Sequence, residues 1–119
     1  MSIEIPGLDV QKGLDLYDGE EEFYIFALKS WVTNTPESLD KLANVSKETL
    51  ADYAITIHGV KGTSAHIGAE ALREKAKNME AQAKSGDLDG ILAVNDSFIK
   101  EASALLAVVK DWLDKNAKE

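Results

Sequence analysis

Apolar side chains recur at intervals of three and four through most of this chain, and no other feature narrows its fold as much. The longest run covers residues 88–116, where Ile91, Phe98, Ala102, Leu105, Val109 and Trp112 form one stripe, interrupted by the polar Asn95. This spacing gathers apolar side chains on one face of an α-helix, and in water that face needs a partner. The two prolines, Pro6 and Pro36, stand outside the long periodic stretches. Alanine is plentiful and β-branched runs are short, so local propensity agrees with the periodicity.

Breaks in the pattern divide the chain. Residues 1–8 read as an extended lead-in, and Asp9 to Tyr17 as a short first helix. Asp18, with Glu21 three residues later, has capping-box spacing, and Glu20, Glu21 and Glu22 suit the positive end of a helix dipole. The helix so begun carries Tyr24, Ala27, Leu28, Trp31 and Val32 inward and is expected to end at Asn34-Thr35-Pro36. Thr35 then caps a short helix from Pro36 to Asn44, with Leu39, Leu42 and Ala43 inward. Ser46 is the expected cap of a segment from Lys47 to Ile67, whose buried arc holds Leu50, Tyr53, Ala54, Ile57, Val60, Ser64 and Ile67. Gly68 ends it through glycine's access to positive φ. A helix from Ala69 to Lys84 follows, striped by Leu72, Ala76, Met79 and Ala83, and Ser85-Gly86-Asp87 separates it from the last helix, Leu88 to Asn116. Trp31 and Trp112 are expected in the core. Long amphipathic helices on short connections predict an all-α fold: an antiparallel up-and-down four-helix bundle with an additional short N-terminal helix, as one domain over residues 1–119.

Composition excludes several functions. Thirteen Lys and Arg against 21 Asp and Glu give a net charge of −8, which disfavours nucleic acid and anionic membrane surfaces. The absence of cysteine removes disulfides, thiolate metal sites and thiol nucleophiles, and is compatible with a reducing cytoplasm. No stretch approaches the roughly 20 apolar residues of a membrane span. Met1-Ser2-Ile3-Glu4 lacks the basic-then-apolar pattern of a secretory signal. His58 and His66 stand eight apart, about 12 Å along a helix, too far to share a metal ion, so no metal site is expected. No phosphate-cradling glycine loop is present.

The segment His58-Gly59-Val60-Lys61-Gly62-Thr63-Ser64-Ala65-His66-Ile67-Gly68 carries the chemistry. His58 lies about 100° around the helix from Ile57, the centre of the buried arc, so it stands on the shoulder of the core face. Ala51, Gly62, Ala65 and Ala69 fall along the same strip and leave it nearly bare of side chain. Gly59 and Gly62 each cost the helix about 1 kcal/mol relative to alanine, which calls for a compensating close approach by another surface. Lys61, one turn from His58, can pair with an anionic group carried on the imidazole. An open imidazole beside a cation suits a nucleophile that accepts a phosphoryl group. The same strip also suits a helix-packing surface, and the spacing alone leaves both readings open.

The pattern His58-x-x-Lys61-Gly62-x-Ser64-x-x-x-Gly68 resembles the signature of the histidine-containing phosphotransfer (HPt) family. The likeness extends to Ala69 through Leu72, to Met79-Glu80, to Ser85-Gly86-Asp87, to the helix that follows, and to the opening Ile5-Pro6-Gly7-Leu8-Asp9-Val10 with Gly13-Leu14. It departs in having Val60 where Leu or Ile is more usual, and Gly59 where a larger residue is common. The resemblance implies a phosphocarrier of a multistep two-component phosphorelay rather than an enzyme. His58 would take the phosphoryl group, Lys61 would stabilise it, and Gly59, Gly62 and Ala65 would admit the receiver domain. Ser64 and Gly68 would be structural. The implied partners are response-regulator receivers, which would bring the magnesium, and a hybrid sensor histidine kinase. No cofactor is expected on this chain itself, which would be cytoplasmic and monomeric. A helical scaffold module, and the phosphorylated domain of a chemotaxis-type kinase that shares His-x-x-Lys-Gly, are the alternatives.

Overall fold

Four long helices pack in a ring and a fifth, short one leans on them. In the computed structural model, which describes residues 3–116, these are α1 (Val10–Asp15), α2 (Glu21–Leu42), α3 (Leu50–His66), α4 (Glu70–Lys84) and α5 (Leu88–Asn116). Residues 1 and 2 of the expected lead-in lie outside the described part. Neighbours in sequence are neighbours in space: α2 packs on α3, α3 most extensively on α4, α4 on α5, and α5 closes back on α2. The fold is therefore all-α, a four-helix bundle with a short N-terminal helix. Its core follows the expected stripes, with Tyr24, Leu28, Ile57, Ile67, Leu72, Ile91, Phe98 and Val109 fully buried. The polar interruption Asn95 is buried too: it accepts from the Tyr53 hydroxyl at 2.8 Å and donates to the Leu42 carbonyl at 2.9 Å. One amide thus satisfies groups from α2 and α3 inside the bundle. The tryptophans divide: Trp31 is core, whereas Trp112 is half-buried and the neighbouring Leu113 goes deeper.

The break expected at Asn34-Thr35-Pro36 does not occur. α2 runs through Pro36, and Thr35, expected as a cap, is buried within the helix. The buried positions Trp31, Thr35, Leu39 and Leu42 keep helical spacing across the proline, which is itself exposed. An interior proline costs about 3 kcal/mol. Burying Leu39 and Leu42 returns roughly 1.5–3 kcal/mol each, which offsets that cost. Ala43, expected inward, lies exposed just past the end of α2.

Two expected caps are displaced. Asp18 adopts a left-handed φ of 54°, inside a turn closed by bonds from Gly19 N–H to Leu14 and Glu20 N–H to Tyr17, and Glu20 is the N-cap of α2 without a side-chain bond. The capping box is not made because this turn holds Asp18 two residues outside the N-cap. At α3, Ser46 begins a turn rather than the helix: Thr49 Oγ1 accepts from the Ser46 N–H at 2.8 Å, and the helix starts at Leu50.

Gly68 does end α3. Its φ is +79°, the Ala69 N–H reaches back to the Ser64 carbonyl at 2.9 Å, and the Gly68 N–H reaches Ala65 at 3.2 Å, a Schellman termination. The lead into α1 locks this turn from outside. Asp9 N–H donates to the Gly68 carbonyl at 2.8 Å, and the Tyr24 hydroxyl donates to the Ile67 carbonyl at 2.7 Å. A Cβ at Gly68 would collide with the Asp9 carbonyl oxygen, whereas one at Gly86, with a φ of +80°, would meet nothing. Gly86→Ala is therefore expected to cost about 1 kcal/mol from backbone strain alone, and Gly68→Ala at least about 2 kcal/mol. Urea unfolding of both variants checks the order; equal losses would show that the Asp9 contact does not brace the turn.

Candidate functional site

The antiparallel pairing of α3 and α4 brings His58, Lys61, Glu80 and Lys84 together. His58 is exposed, its side chain 64% accessible, on the shoulder where the helical wheel puts it. Its Nδ1 lies 2.9 Å from Oε2 of Glu80. Lys61 is not free in solvent: its Nζ lies 2.7 Å from Oε1 of Glu80 and its side chain is only 29% accessible. Lys84, one turn beyond Glu80 on α4, places its Nζ 2.8 Å from Oε2. Glu80 itself is buried, at 6% side-chain accessibility. A buried carboxylate without partners would be very costly, and here both oxygens are engaged by basic groups.

Those partners set its charge. Lys61 first and Lys84 second pull the Glu80 carboxyl down from an ordinary 4.5 to about 2, with a smaller contribution from His58, while burial acts in the opposite direction. Glu80 is a full anion at neutral pH, and it joins an exposed imidazole on α3 to cations from two helices.

The glycine strip lies open. Beyond the backbone of α3 itself and the adjoining residues, a Cβ added at Gly59 or Gly62 would meet no atom within 4 Å, so neither residue serves a contact with another helix of this bundle. Ala65, on the same strip, is half-buried. Ser64 is fully inside, its hydroxyl unpaired and its carbonyl accepting the Ala69 N–H, which gives it a part in the helix end and none at the surface. His66 is exposed on the side facing α2, where a groove lined by Phe23, Phe26, Trp31, Gly59 and Thr63 runs between the helices. Among the described residues, no group of three or more His, Asp and Glu is placed to hold a metal ion, and no helix is long and apolar enough to cross a membrane.

The spacing argument singled out the His58 strip but missed Glu80 and Lys84 as parts of the site. The signal was in the sequence. Glu80 stands four residues after Ala76 and three before Ala83, a charge on the apolar stripe of α4, and Lys84 follows it by four. The exposed Phe23 and Phe26 were missed as well; they fall off the inward stripe of α2 and read as ordinary surface positions.

Comparison with known proteins finds relatives of two different descriptions. The phosphorelay intermediate protein rdeA of Dictyostelium discoideum is 29% identical over 109 residues, spanning 88% of this chain and 43% of the relative. The trans-Golgi network-localized SYP41-interacting protein 1 of Arabidopsis thaliana is 35% identical over 103 residues, which is 82% of this chain and 6% of that protein. The chain thus spans less than half the length of either relative. No family model matches the chain, and no solved structure does. The chain is accordingly related, at modest identity, to a phosphorelay intermediate protein.

The depressed Glu80 group has a consequence for acid stability. Its folded-state value lies below its ordinary one, so it contributes stability that is fully present above about pH 4.5 and is lost as pH falls towards 2. The difference in unfolding free energy between the native protein and Glu80→Gln is expected to shrink across that window and stay constant above it. Urea titrations at several pH values test this; a difference that does not change with pH would mean the carboxylate is not held by its cations.

Proposed function

We propose that this chain is a histidine phosphotransfer protein of a multistep phosphorelay. It takes a phosphoryl group on His58 from an aspartyl phosphate of one receiver domain and passes it to another receiver. The observation that carries the reading is an accessible imidazole with a paired lysine one turn away, beside a strip on which Gly59 and Gly62 leave open space. The relationship to a phosphorelay intermediate protein supports it. A scaffold that used the strip for internal helix packing would fill the space at Gly59 and Gly62, and nothing in this bundle does; the strip is covered only at its far end, where Ala69 is buried.

In this reading the chain contributes the nucleophile and a landing surface, and acts as a phosphocarrier rather than as an enzyme. The receivers supply magnesium and the acceptor or donor aspartate, and a hybrid sensor kinase stands upstream. The whole of residues 1–119 acts as one cytoplasmic, monomeric module. Gly62 and Gly59 let the receiver's aspartate come within the roughly 3–3.5 Å that in-line transfer requires. Phe23, Phe26 and Ile55, at 59%, 70% and 72% exposure, give that landing surface apolar contacts on α2 and α3. Ala65 borders the same surface, while Ser64 and Gly68 keep α3 in place.

Incubation with a labelled phospho-receiver tests the assignment. His58→Gln is expected to take no label and His66→Gln to label normally, with the bound phosphate labile in acid and stable in base. Label retained by the first variant would remove His58 as the nucleophile.

A second measurement separates a docking surface from a packing surface. Gly62→Gln replaces a poor helix former with a good one and adds bulk where no atom lies within 4 Å. Its melting temperature is expected to hold or rise slightly while transfer falls at least tenfold. A sharp drop in melting temperature would assign the glycine to an internal contact instead.

A further inference from the structure

The groove between α2 and α3 has the build of a small-molecule site, and the phosphotransfer reading makes no use of its interior. Its volume is about 480 Å³ and it opens to solvent. Apolar clefts of this size with a few polar groups are the usual hosts of small organic ligands. Phe23 and Phe26 stand on its α2 side, 59% and 70% exposed, and Gly59 and Thr63 line its α3 side. Gly59 keeps the groove open, since no side chain enters there and no other helix approaches a Cβ built at that position. The lining contains no carboxylate, ammonium or guanidinium group. A cation finds no counter-charge on these walls, and an anion meets the field of a chain that carries −8. The aromatic walls favour a flat, uncharged molecule. Trp31 sets the polar requirement: it lines the groove and is only 3% exposed. A buried indole N–H ordinarily finds an acceptor. That of Trp31 has none among the described residues, and the other buried side-chain atom without a partner, the Ser64 hydroxyl, does not line the groove. An indole N–H can only donate, so the complementary ligand carries an acceptor. An apolar side chain reaching in from a protein partner would fit the walls but leave that donor unpaired.

We propose that the α2–α3 groove binds a small, flat, uncharged organic molecule whose carbonyl-type acceptor takes the Trp31 indole N–H. The site is separate from the charged cluster, since none of His58, Lys61, Glu80 and Lys84 lines it. It adjoins that cluster, because Gly59 follows His58 directly in α3 and Phe23 and Phe26 belong to the receiver's landing surface. A bound molecule therefore stands in the receiver's way, and transfer falls as the groove fills. That consequence rests on the reading of His58 as the phosphoryl acceptor; the binding itself does not.

The test uses two probes: coumarin, a flat neutral bicycle with a lactone carbonyl, and naphthalene, of similar shape but without an acceptor. Binding to the whole chain is read from the indole N–H resonance of Trp31, told apart from that of Trp112 with Trp112→Phe. Coumarin is expected to move the Trp31 resonance downfield, as a new hydrogen bond does, and to bind about 5-fold more tightly than naphthalene. Trp31→Phe keeps an aromatic wall and removes the donor, so it should bind the two probes equally. Gly59→Leu fills the groove from a position that meets no other helix, and should abolish coumarin binding with its melting temperature held. Coumarin should also slow label transfer from a phospho-receiver to the native protein. Should Trp31→Phe fail to fold, the native indole shift and Gly59→Leu decide. Equal affinity of the native protein for both probes, an unmoved Trp31 resonance, or unchanged binding by Gly59→Leu overturns the proposal. If a receiver domain moves the Trp31 resonance and coumarin does not, the groove belongs to the protein partner and the proposal falls. Transfer unchanged at saturating coumarin overturns the blocking of the receiver. If coumarin binds as expected to a protein that takes no label, the phosphotransfer reading fails and the site stands.

Discussion

The reversal of the chain at Gly68 is the constraint on which the rest depends. A left-handed residue there folds α4 back along α3 within three residues, and the Asp9 and Tyr24 bonds to the turn's carbonyls hold it in one geometry. His58 stands ten residues before Gly68 and Glu80 twelve after it. Helices rise about 1.5 Å per residue, so the two travel similar distances from the turn and arrive side by side. A longer or looser connection would let α4 slide or rotate, and the carboxylate would no longer meet the ring. The same turn buries Ile67 beneath α1, which couples the N-terminal helix to the register of the site.

Once that register is set, electrostatics organises the site in order of burial. Glu80 is nearly enclosed, Lys61 is partly covered, and His58 and Lys84 are mostly open. Charge is placed deepest where it has the most partners, and the imidazole of His58 stays open to solvent. The two glycines fit this order. They weaken α3 as a helix, but α3 is held by its packing against α2 and α4 and by its braced C-terminus, and does not depend on propensity. The bundle can therefore carry two poor helix formers on its outer face and keep the surface beside His58 low.

Much of this was legible in the sequence because it depends on local periodicity. The stripes of α3, α4 and α5 put Ile57, Leu72, Met79 and Phe98 in the core, and the same wheel put His58 on the shoulder and Ser64 inside. The end of α3 at Gly68 and the break at Ser85-Gly86-Asp87 were readable from turn chemistry. The errors lie where tertiary packing overrides a local signal. Pro36 looked like a stop, yet the buried side chains on either side of it hold one helix. Asp18 looked like a cap, yet the turn out of α1 fixes it in another conformation.

The amino-acid sequence by itself determined that this chain is a helical bundle and that one histidine stands on a cleared, outward strip, because both follow from side-chain spacing along a single helix. Only the tertiary structure decided what the histidine touches. The carboxylate lies 22 residues away on another helix, and its position depends on the geometry of a turn, the register of two helices and the burial of their shared face. Lys61 looked like a free cation awaiting an anion; folding supplied that anion in Glu80 and thereby tied His58, Lys61 and α4 into one charged cluster.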